Sequence, residues 1–351
     1  MENVPNREKF GKVNIIRFNT PEHKNKFYRQ VIAYFFFAFK AIRYSLNHST
    51  DYNYILSTSS RLGTAFAGFI ISKYSKKPHF LDLRDVFSDS LSSLKFSNNI
   101  IGKNIIKIIK NIENIVTKNA SWINIVSSGF LKYKHIQNSS LKINIFTNGI
   151  DKIFIDNRKN KTHKECKPNL PLRFVYAGNM GLGQSLEKTV IPIAKHFGDK
   201  ILFQLIGDGS SIETIKNLII REELTNIQLT PPVKRTFLIK YYNNADVLFL
   251  QLNDIPAFEN VLPSKIFDYG SFDKPILAGV NGTSKFFLEK YLPDSYIFEP
   301  NNYRQAIKLV DKILNDKIEI NNNLFVKKFS RKKIANNFVK SITSTIKKNN
   351  L

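Results

Sequence analysis

The chain has 351 residues, 42% of them hydrophobic and 23% charged, which is typical of a globular protein and leaves room for two domains. Its 53 Lys and Arg against 28 Asp and Glu leave a formal net charge of +25, which favours an anionic partner such as nucleic acid, an anionic membrane face or phosphorylated substrates. A single cysteine, Cys166, excludes an internal disulfide and a zinc cluster. No segment reaches the roughly 20 apolar residues of a membrane-spanning helix, and the N-terminus lacks the apolar core of a signal peptide, so the sequence predicts a cytoplasmic protein.

Strands and helix-length segments alternate along the chain, and this pattern predicts parallel sheets covered by helices, an α/β fold. The predicted strands are residues 13–18, 54–57, 79–83, 122–126 and 143–146, then 173–176, 201–206, 227–229, 246–250, 275–278 and 296–298. The polar stretch 156–171 has almost no core-forming residues and is the predicted boundary between two domains.

Two segments of the first half combine apolar and cationic side chains. The segment from Phe27 to Leu46 is rich in aromatic residues flanked by Arg and Lys, and the segment from Ile101 to Val116 places isoleucines beside Lys103, Lys107 and Lys110. Such helices lie in the interface of anionic bilayers, so both are predicted to contact an anionic membrane surface peripherally. The alternative, an ordinary helix packed on a sheet, stays open. Nucleic acid is not expected, because the sequence shows no recognised binding module.

Polar residues follow two predicted strands of the first half. Ser59 and Arg61 come after the strand at 54–57, and Arg84 and Asp85 come after the strand at 79–83. Ligands of open parallel sheets bind outside the carboxyl ends of the strands, so a ligand site is predicted at these junctions. The alternative for Arg84 and Asp85 is an exposed ion pair without a chemical role.

A glycine-rich turn opens the second half. An apolar strand runs into Gly178, Gly181 and Gly183 and then into a helix, so the backbone can approach a phosphate at the helix start. The spacing of these glycines differs from the dinucleotide fingerprint, which argues against a nicotinamide enzyme.

A short helix is predicted to open at Pro263 and Ser264, because a proline at a helix start loses no hydrogen bond. The free N–H groups of that start attract an anion, and Lys265 on the first turn would strengthen the attraction. Asp268 lies one turn further on, where it could hold hydroxyl groups. A ligand with phosphate at one end and hydroxyls at the other is a nucleotide sugar. The alternative is a capped helix that follows a core strand.

The segment at 266–279, Ile-Phe-Asp-Tyr-Gly-Ser-Phe-Asp-Lys-Pro-Ile-Leu-Ala-Gly, resembles the donor-site segment of retaining GT-B glycosyltransferases of family 4, in the branch found in bacterial O-antigen and capsule biosynthesis. Shorter similarities occur at residues 55–61, 81–87, 146–151, 205–209 and 329–331. The resemblance implies two Rossmann-like domains facing a cleft and a C-terminal helix that crosses back to the first domain. The implied ranges are 1–160, 161–328 and, for the crossover helix, 329–351.

The family pattern has two glutamates with seven residues between them. This chain has Asn260 and Asp268 at those places, and Glu259 is one residue out of register. Many members carry Arg and Lys where this chain has Asn179 and Gln184, so Lys265 is the implied cation for the diphosphate. The implied catalytic residues are Lys265, Asp85 and Glu259. The implied donor-binding residues are Gly178, Asn179, Gly181, Gln184, Gly207, Val233, Ser264, Lys265 and Asp268, and the implied acceptor-side residues are Ser59, Arg61, Arg84 and Asp85.

The resemblance implies transfer of a sugar from a nucleotide-diphosphate donor, most simply a UDP-sugar, to a lipid-linked (polyprenyl diphosphate) saccharide at the inner face of the plasma membrane. It also implies retention of the anomeric configuration and no metal or other cofactor. The family's opening strand and glycine-rich loop are not matched at the start of this chain, which leaves open a non-catalytic GT-B-fold subunit or partner-binding protein. A sugar 2-epimerase of the same fold is a further alternative, which would need acid and base residues near the donor.

Overall fold

The computed structural model describes residues 5–22, 27–59, 62–92, 99–139, 141, 143–158, 171–316 and 319–348. They pack into two compact units. The first contains described residues within 1–126, 130–145 and 341–351, and the second contains those within 127–129 and 146–340.

The first unit holds a parallel sheet in the order β3-β4-β5-β6, formed by β3 (Ile55–Thr58), β4 (His79–Leu83), β5 (Trp122–Ile125) and β6 (Ile143–Ile145). The strand predicted at 13–18 does not join it. Instead β1 (Arg7–Phe10) and β2 (Val13–Ile16) form an antiparallel hairpin, because Gly11 adopts a φ of 60° and reverses the chain. The helices of the first half are α1 (Phe27–Asn47), α2 (Leu62–Ser75), α3 (Phe87–Ser92), α4 (Ile100–Lys118) and α5 (Lys134–Gln137).

The second unit is built on a six-stranded parallel sheet in the order β12-β11-β10-β7-β8-β9. Its strands are β7 (Leu172–Asn179), β8 (Ile201–Asp208), β9 (Ile227–Thr230), β10 (Val247–Gln251), β11 (Ile276–Gly279) and β12 (Tyr296–Phe298). Its helices are α6 (Lys152–Asn157), α7 (Glu187–Phe197), α8 (Ile212–Arg221), α9 (Arg235–Asn244), α10 (Lys265–Tyr269), α11 (Gly282–Tyr291), α12 (Tyr303–Asn315) and α13 (Asn323–Phe329), and α14 (Arg331–Lys348) starts in it. The strand order reverses between β7 and β10, which is where an open α/β sheet binds its ligand.

Helices cover both faces of this sheet, so its central strand β10 is buried along its length rather than alternating. All five residues of β10 are buried. One apolar cluster contains Phe154, Tyr242 and Phe267, and the other contains Phe174 and Phe203. The carboxyl ends of β7 and β10 are therefore held by a rigid core.

The packed units differ from the predicted domain ranges. Residues 146–158 belong to the second unit, because Phe154 packs its ring against Tyr242 at 5.8 Å and Phe272 at 6.0 Å between centroids. Most of the polar stretch predicted as the boundary lies outside the described residues. From Ser341 onward α14 belongs to the first unit, where the Ser341 hydroxyl accepts a hydrogen bond from Trp122 Nε1 at 3.1 Å.

Candidate active site

Two glycines at the carboxyl ends of β7 and β8 shape the centre of the site. Gly178 and Gly207 are register partners, with φ of 146° and 141°. A Cβ on Gly207 would overlap the Gly178 carbonyl, and a Cβ on Gly178 would overlap the end of the Lys265 side chain. These positions require glycine both for backbone conformation and for space. They let a cationic side chain from α10 reach the end of β7.

Lys265 is directed to that strand end. Its Nζ lies 4.9 Å from the centre of the Tyr176 ring, within the range of a cation–π contact. Burial lowers the pKa of Lys265 from 10.5 to about 8, and the nearby Asp268 carboxylate opposes the shift. The ammonium is thus poorly solvated beside the glycine turn, which is the environment in which an anionic ligand gains most from it.

Asn179 and Gln184 contact each other across the turn. Asn179 Nδ2 donates to Gln184 Oε1 at 2.8 Å, and the Gly181 N–H donates to the same oxygen at 3.3 Å. The Tyr176 hydroxyl donates to the Asn179 carbonyl. These two predicted donor-binding side chains hold the loop in shape, and the end of the Lys265 side chain lies beside Gly178 in the same turn.

Asp268 is 8% exposed and accepts a hydrogen bond from the Arg235 guanidinium, Nη2 to Oδ1, at 2.8 Å. Burial raises the pKa of Asp268 to about 6; Arg235 and Arg331 oppose this shift and Asp151 adds to it. The carboxylate therefore depends on cationic neighbours for its charge at neutral pH.

The helix that carries Lys265 and Asp268 starts one residue later than predicted, at Lys265, and ends at Tyr269. Ser264 is exposed and its side chain forms no capping hydrogen bond. Val233 precedes α9 and packs against the core cluster that contains Tyr269. The Ser264 side chain therefore does not cap the helix, and Val233 contacts the apolar cluster on which the helix packs.

Glu259 was predicted to be catalytic, and that role stays a prediction. It lies in a 3-10 helix, Pro256–Asn260, and its side chain is exposed. Within the described part of the chain its carboxylate forms no hydrogen bond or ion pair with Lys265 or Asp268. Asn260, at the first family position, is partly buried, and its carbonyl accepts a hydrogen bond from Ser127 Oγ at 2.5 Å. In this 3-10 helix Glu259 therefore faces solvent, whereas Asn260 is partly buried.

Ser59, Arg84 and Asp85, which were predicted to face the acceptor, lie in the first unit at the ends of β3 and β4. Ser59 Oγ donates to the Asp85 carbonyl at 3.4 Å, so these two junctions do meet. Arg84 Nε pairs with Asp82 at 2.8 Å. Asp85 Oδ1 accepts from the Val86 N–H at 2.9 Å. Arg61 lies outside the described residues.

Three charged residues that were not among the predicted site residues lie around Asp268. Arg235 pairs with Asp151 at 2.6 Å as well as with Asp268, and Arg331 Nε pairs with Asp151 at 2.7 Å. Asp151 and Arg331 fall inside segments that resemble the family, but only the folded chain brings them to Asp268.

A separate surface of the first unit is formed by α1 and α4, which both pack against α2. On α4 the isoleucine stripe points outward: Ile101 is 68% exposed and Ile108 is 59% exposed, whereas Ile106 faces the interior. On α1 Phe35 is 70% exposed. The stripe is therefore not the sheet-facing side of an ordinary helix. Within the described part of the chain, no helix combines the length and apolar character that crossing a bilayer requires.

The model of the family described as glycosyl transferases group 1 matches residues 159–343, more than half of the chain. The chain belongs to this family. The match spans the glycine turn, Arg235, Lys265 and Asp268, so the geometry above is that of a group 1 glycosyltransferase. No curated protein gives a significant match.

Solved structures with the same architecture are distant in sequence. Sucrose-phosphate synthase from Thermosynechococcus elongatus aligns with a TM-score of 0.73 at 14% identity, over 98% of this chain and 86% of the synthase. HepE from Anabaena in complex with UDP-glucose aligns with a TM-score of 0.67 at 13% identity, over 91% of this chain and 84% of HepE. The lipopolysaccharide outer core galactosyltransferase WaaB in its apo form aligns with a TM-score of 0.58 at 13% identity, over 92% of this chain and 82% of WaaB. The likeness confirms the predicted GT-B fold with its two Rossmann-like domains.

Proposed function

We propose that this group 1 glycosyltransferase uses a nucleotide-diphosphate sugar, most simply a UDP-sugar, as its donor. The observation that carries the proposal is the Lys265 ammonium held against the glycine turn at the end of β7, with Asp268 one helical turn away. HepE, a structure of the same fold, binds UDP-glucose. A diphosphate at the glycine turn would accept hydrogen bonds from backbone N–H groups and pair with one cation. Asp268 could accept hydrogen bonds from hydroxyl groups of the ligand.

The chemical step breaks the bond between the sugar and the diphosphate, so negative charge develops on the departing phosphate. A desolvated ammonium beside that oxygen stabilises the transition state more than the ground state, and this is the part of binding that accelerates the reaction. The proposal includes retention of configuration and independence of a metal or other cofactor, which follow from the resemblance to family 4.

Lys265→Met tests the role of the cation, because it keeps the aliphatic stem and removes the charge. We expect turnover at saturating donor to fall about 10²-fold while affinity for the donor falls less. Lys240→Met, which removes an exposed lysine from α9, is the matched control and should leave turnover unchanged. Turnover of Lys265→Met within a few-fold of the parent would exclude Lys265 as the diphosphate cation.

For the acceptor we propose a lipid-linked saccharide at the inner face of the plasma membrane, in synthesis of a cell-surface polysaccharide such as O-antigen or capsule. The exposed apolar and basic side chains of α1 and α4 support a peripheral contact with an anionic bilayer. WaaB, a galactosyltransferase of the lipopolysaccharide outer core, has the same fold. Mass spectrometry of products from a panel of nucleotide sugars and a membrane lipid extract would identify both substrates.

The membrane contact has its own test. Replacing Lys103, Lys107 and Lys110 with Gln should weaken binding to anionic vesicles by roughly 3 kcal/mol at physiological salt, since each basic residue near the surface contributes about 1 kcal/mol. Binding to neutral vesicles should change little. The control replaces three exposed lysines of α14, Lys332, Lys333 and Lys340, with the same loss of charge. Equal effects of the two triple variants would contradict a specific surface on α4.

One observation favours a second candidate, a non-catalytic member of the family. The only acidic side chain next to the first family position, Glu259, is exposed, and Asn260 occupies that position. Binding of UDP without turnover for any donor in the panel would support this candidate.

A further inference from the structure

Arg235 stands between two carboxylates at the start of α9. Its Nη2 lies 2.6 Å from Asp151 Oδ2 and 2.8 Å from Asp268 Oδ1, so one nitrogen donates to both. The carbon at the centre of its guanidinium lies 4.8 Å from the centre of the Phe154 ring. Phe154 is fully buried in the core. The guanidinium, whose side chain is 49% exposed, is therefore contacted by an aromatic face and by a carboxylate on either side.

One carboxylate oxygen of Asp268 is used by Arg235, and the other is left for a ligand. Its Oδ1 accepts from Arg235, and the group is 8% exposed. A carboxylate removed from water favours its neutral form unless a cation compensates it, and a neutral carboxyl is a weaker acceptor for hydroxyl groups. Arg235 supplies the contact that Asp268 needs to act as an anion.

We propose that Arg235 is a positioning residue. It keeps Asp268 ionised and holds its carboxylate so that the second oxygen can accept hydrogen bonds from hydroxyl groups of a nucleotide ligand. This inference rests on the proposed function of Asp268 in the donor site. Arg235 acts through Asp268, and Asp151 and the Phe154 ring hold Arg235 in place.

Several charged or titratable groups face Asp268. They are Arg235 and Tyr242 of α9, Asp151 before α6, Arg331 of α14, and Lys265 and Tyr269 of its own helix. Arg331 remains when Arg235 is removed, but its direct ion pair is with Asp151. Arg235 is the cation that donates a hydrogen bond to Asp268 among the described residues.

Arg235→Met should therefore raise the pKa of Asp268 above its present value of about 6, so that much of it is protonated at pH 7. The probe is UDP, measured by calorimetry from pH 6.5 to 9 on the parent, Arg235→Met and Lys240→Met. Each variant is expressed as a ratio of its dissociation constant to that of the parent at the same pH, which cancels the ionisation of UDP itself. Lys240 is an exposed lysine of the same helix, so its variant controls for charge.

We expect the ratio for Arg235→Met to be about tenfold at pH 7, the loss of one charge-assisted hydrogen bond, and to decrease towards one as pH rises and Asp268 ionises again. The ratio for Lys240→Met should stay near one throughout. A ratio for Arg235→Met that is near one, or large but independent of pH, would overturn the inference, because a purely structural role or a direct ligand contact gives no such trend.

Two further variants keep the test decisive. Arg235→Lys keeps a charge beside Asp268 and should recover most of the affinity at pH 7, which covers the case in which Arg235→Met does not fold. Asp268→Asn cannot ionise, so adding Arg235→Met to it should change UDP affinity less than in the parent. If the folded parent does not bind UDP, the proposed donor is wrong, and the inference is wrong with it. If the parent binds UDP but the ratio of dissociation constants for Arg235→Met does not change with pH, only the role of Arg235 is excluded.

Discussion

If a nucleotide diphosphate binds at Lys265 as proposed, the lowered pKa of this lysine should make its binding sensitive to pH in a range where few other groups titrate. In the free protein the pKa is about 8, because the ammonium is buried beside the glycine turn. A diphosphate placed against it would restore the preference for the charged form, so the bound pKa is higher. UDP then binds the protonated lysine, and its affinity must fall as the free protein loses that proton.

The magnitude follows from the pKa. At pH 7 about nine-tenths of the molecules carry the charge, and at pH 9 about one-tenth do, so the dissociation constant for UDP should rise about tenfold, or ~1.4 kcal/mol, across that range. An ordinary surface lysine with a pKa near 10.4 would remain charged throughout and give almost no change. A terminal phosphate ionises near pH 6, so UDP keeps its charge above about pH 7.

Calorimetry at pH 7, 8 and 9 and constant ionic strength measures this effect directly. Lys265→Met should bind UDP more weakly at pH 7 and show little dependence on pH, whereas Lys240→Met should reproduce the parent profile. A parent affinity that is the same at pH 7 and pH 9 would refute the placement of the diphosphate at Lys265. A Lys265→Met profile with the parent's slope would assign the titration to another group.

Three further predictions concern the donor side and the stability of the two units. Asp268→Ala should weaken UDP binding by about 1.5–3 kcal/mol for each charge-assisted hydrogen bond lost, and unchanged calorimetric affinity in a folded variant would remove Asp268 from the site. Gly207→Ala should lower the melting temperature because its Cβ would overlap the Gly178 carbonyl, whereas Gly63→Ala, with open space around it, should not; equal melting temperatures would contradict the close approach. Burial lowers the pKa of His79 from 6.5 to about 4, so the folded state binds fewer protons than the unfolded state between these values and stability is lost as pH falls from 6.5 to 4, by up to ~3 kcal/mol. His79→Gln should show less acid sensitivity in urea unfolding, and an unchanged pH dependence would exclude His79 as the cause.

The sequence by itself predicted the strands of both parallel sheets and a glycosyltransferase of the GT-B fold. The stretch at 247–250 is short and continuously apolar, which is typical of a strand covered on both faces, and β10 occupies it with one added residue. Gly178 was predicted to let the backbone approach a phosphate; it and its register partner Gly207 lie at positive φ, where a Cβ would overlap a neighbour. Local pattern was sufficient here because a continuous apolar run and a glycine at a strand end restrict the conformations that adjacent residues adopt.

Side-chain direction was decided only by tertiary structure. The isoleucines of α4 form the stripe that a sheet-packing helix would have, yet Ile101 and Ile108 face solvent while Ile106 is buried. Periodicity defines a face but not what that face meets. Glu259 shows the same limit: its carboxylate is exposed, although it lies next to the position where the family has an acid.

The electrostatics of the site also depended on the folded chain. Asp268 meets Arg235 from α9, which in turn meets Asp151, and no local pattern connects these positions. Lys265 acquires its lowered pKa from burial beside Tyr176, on a different strand. The sequence indicated that Lys265 and Asp268 share a short helix and face a ligand. Their protonation depends on desolvation and on charges brought close by folding, and both are properties of three-dimensional packing.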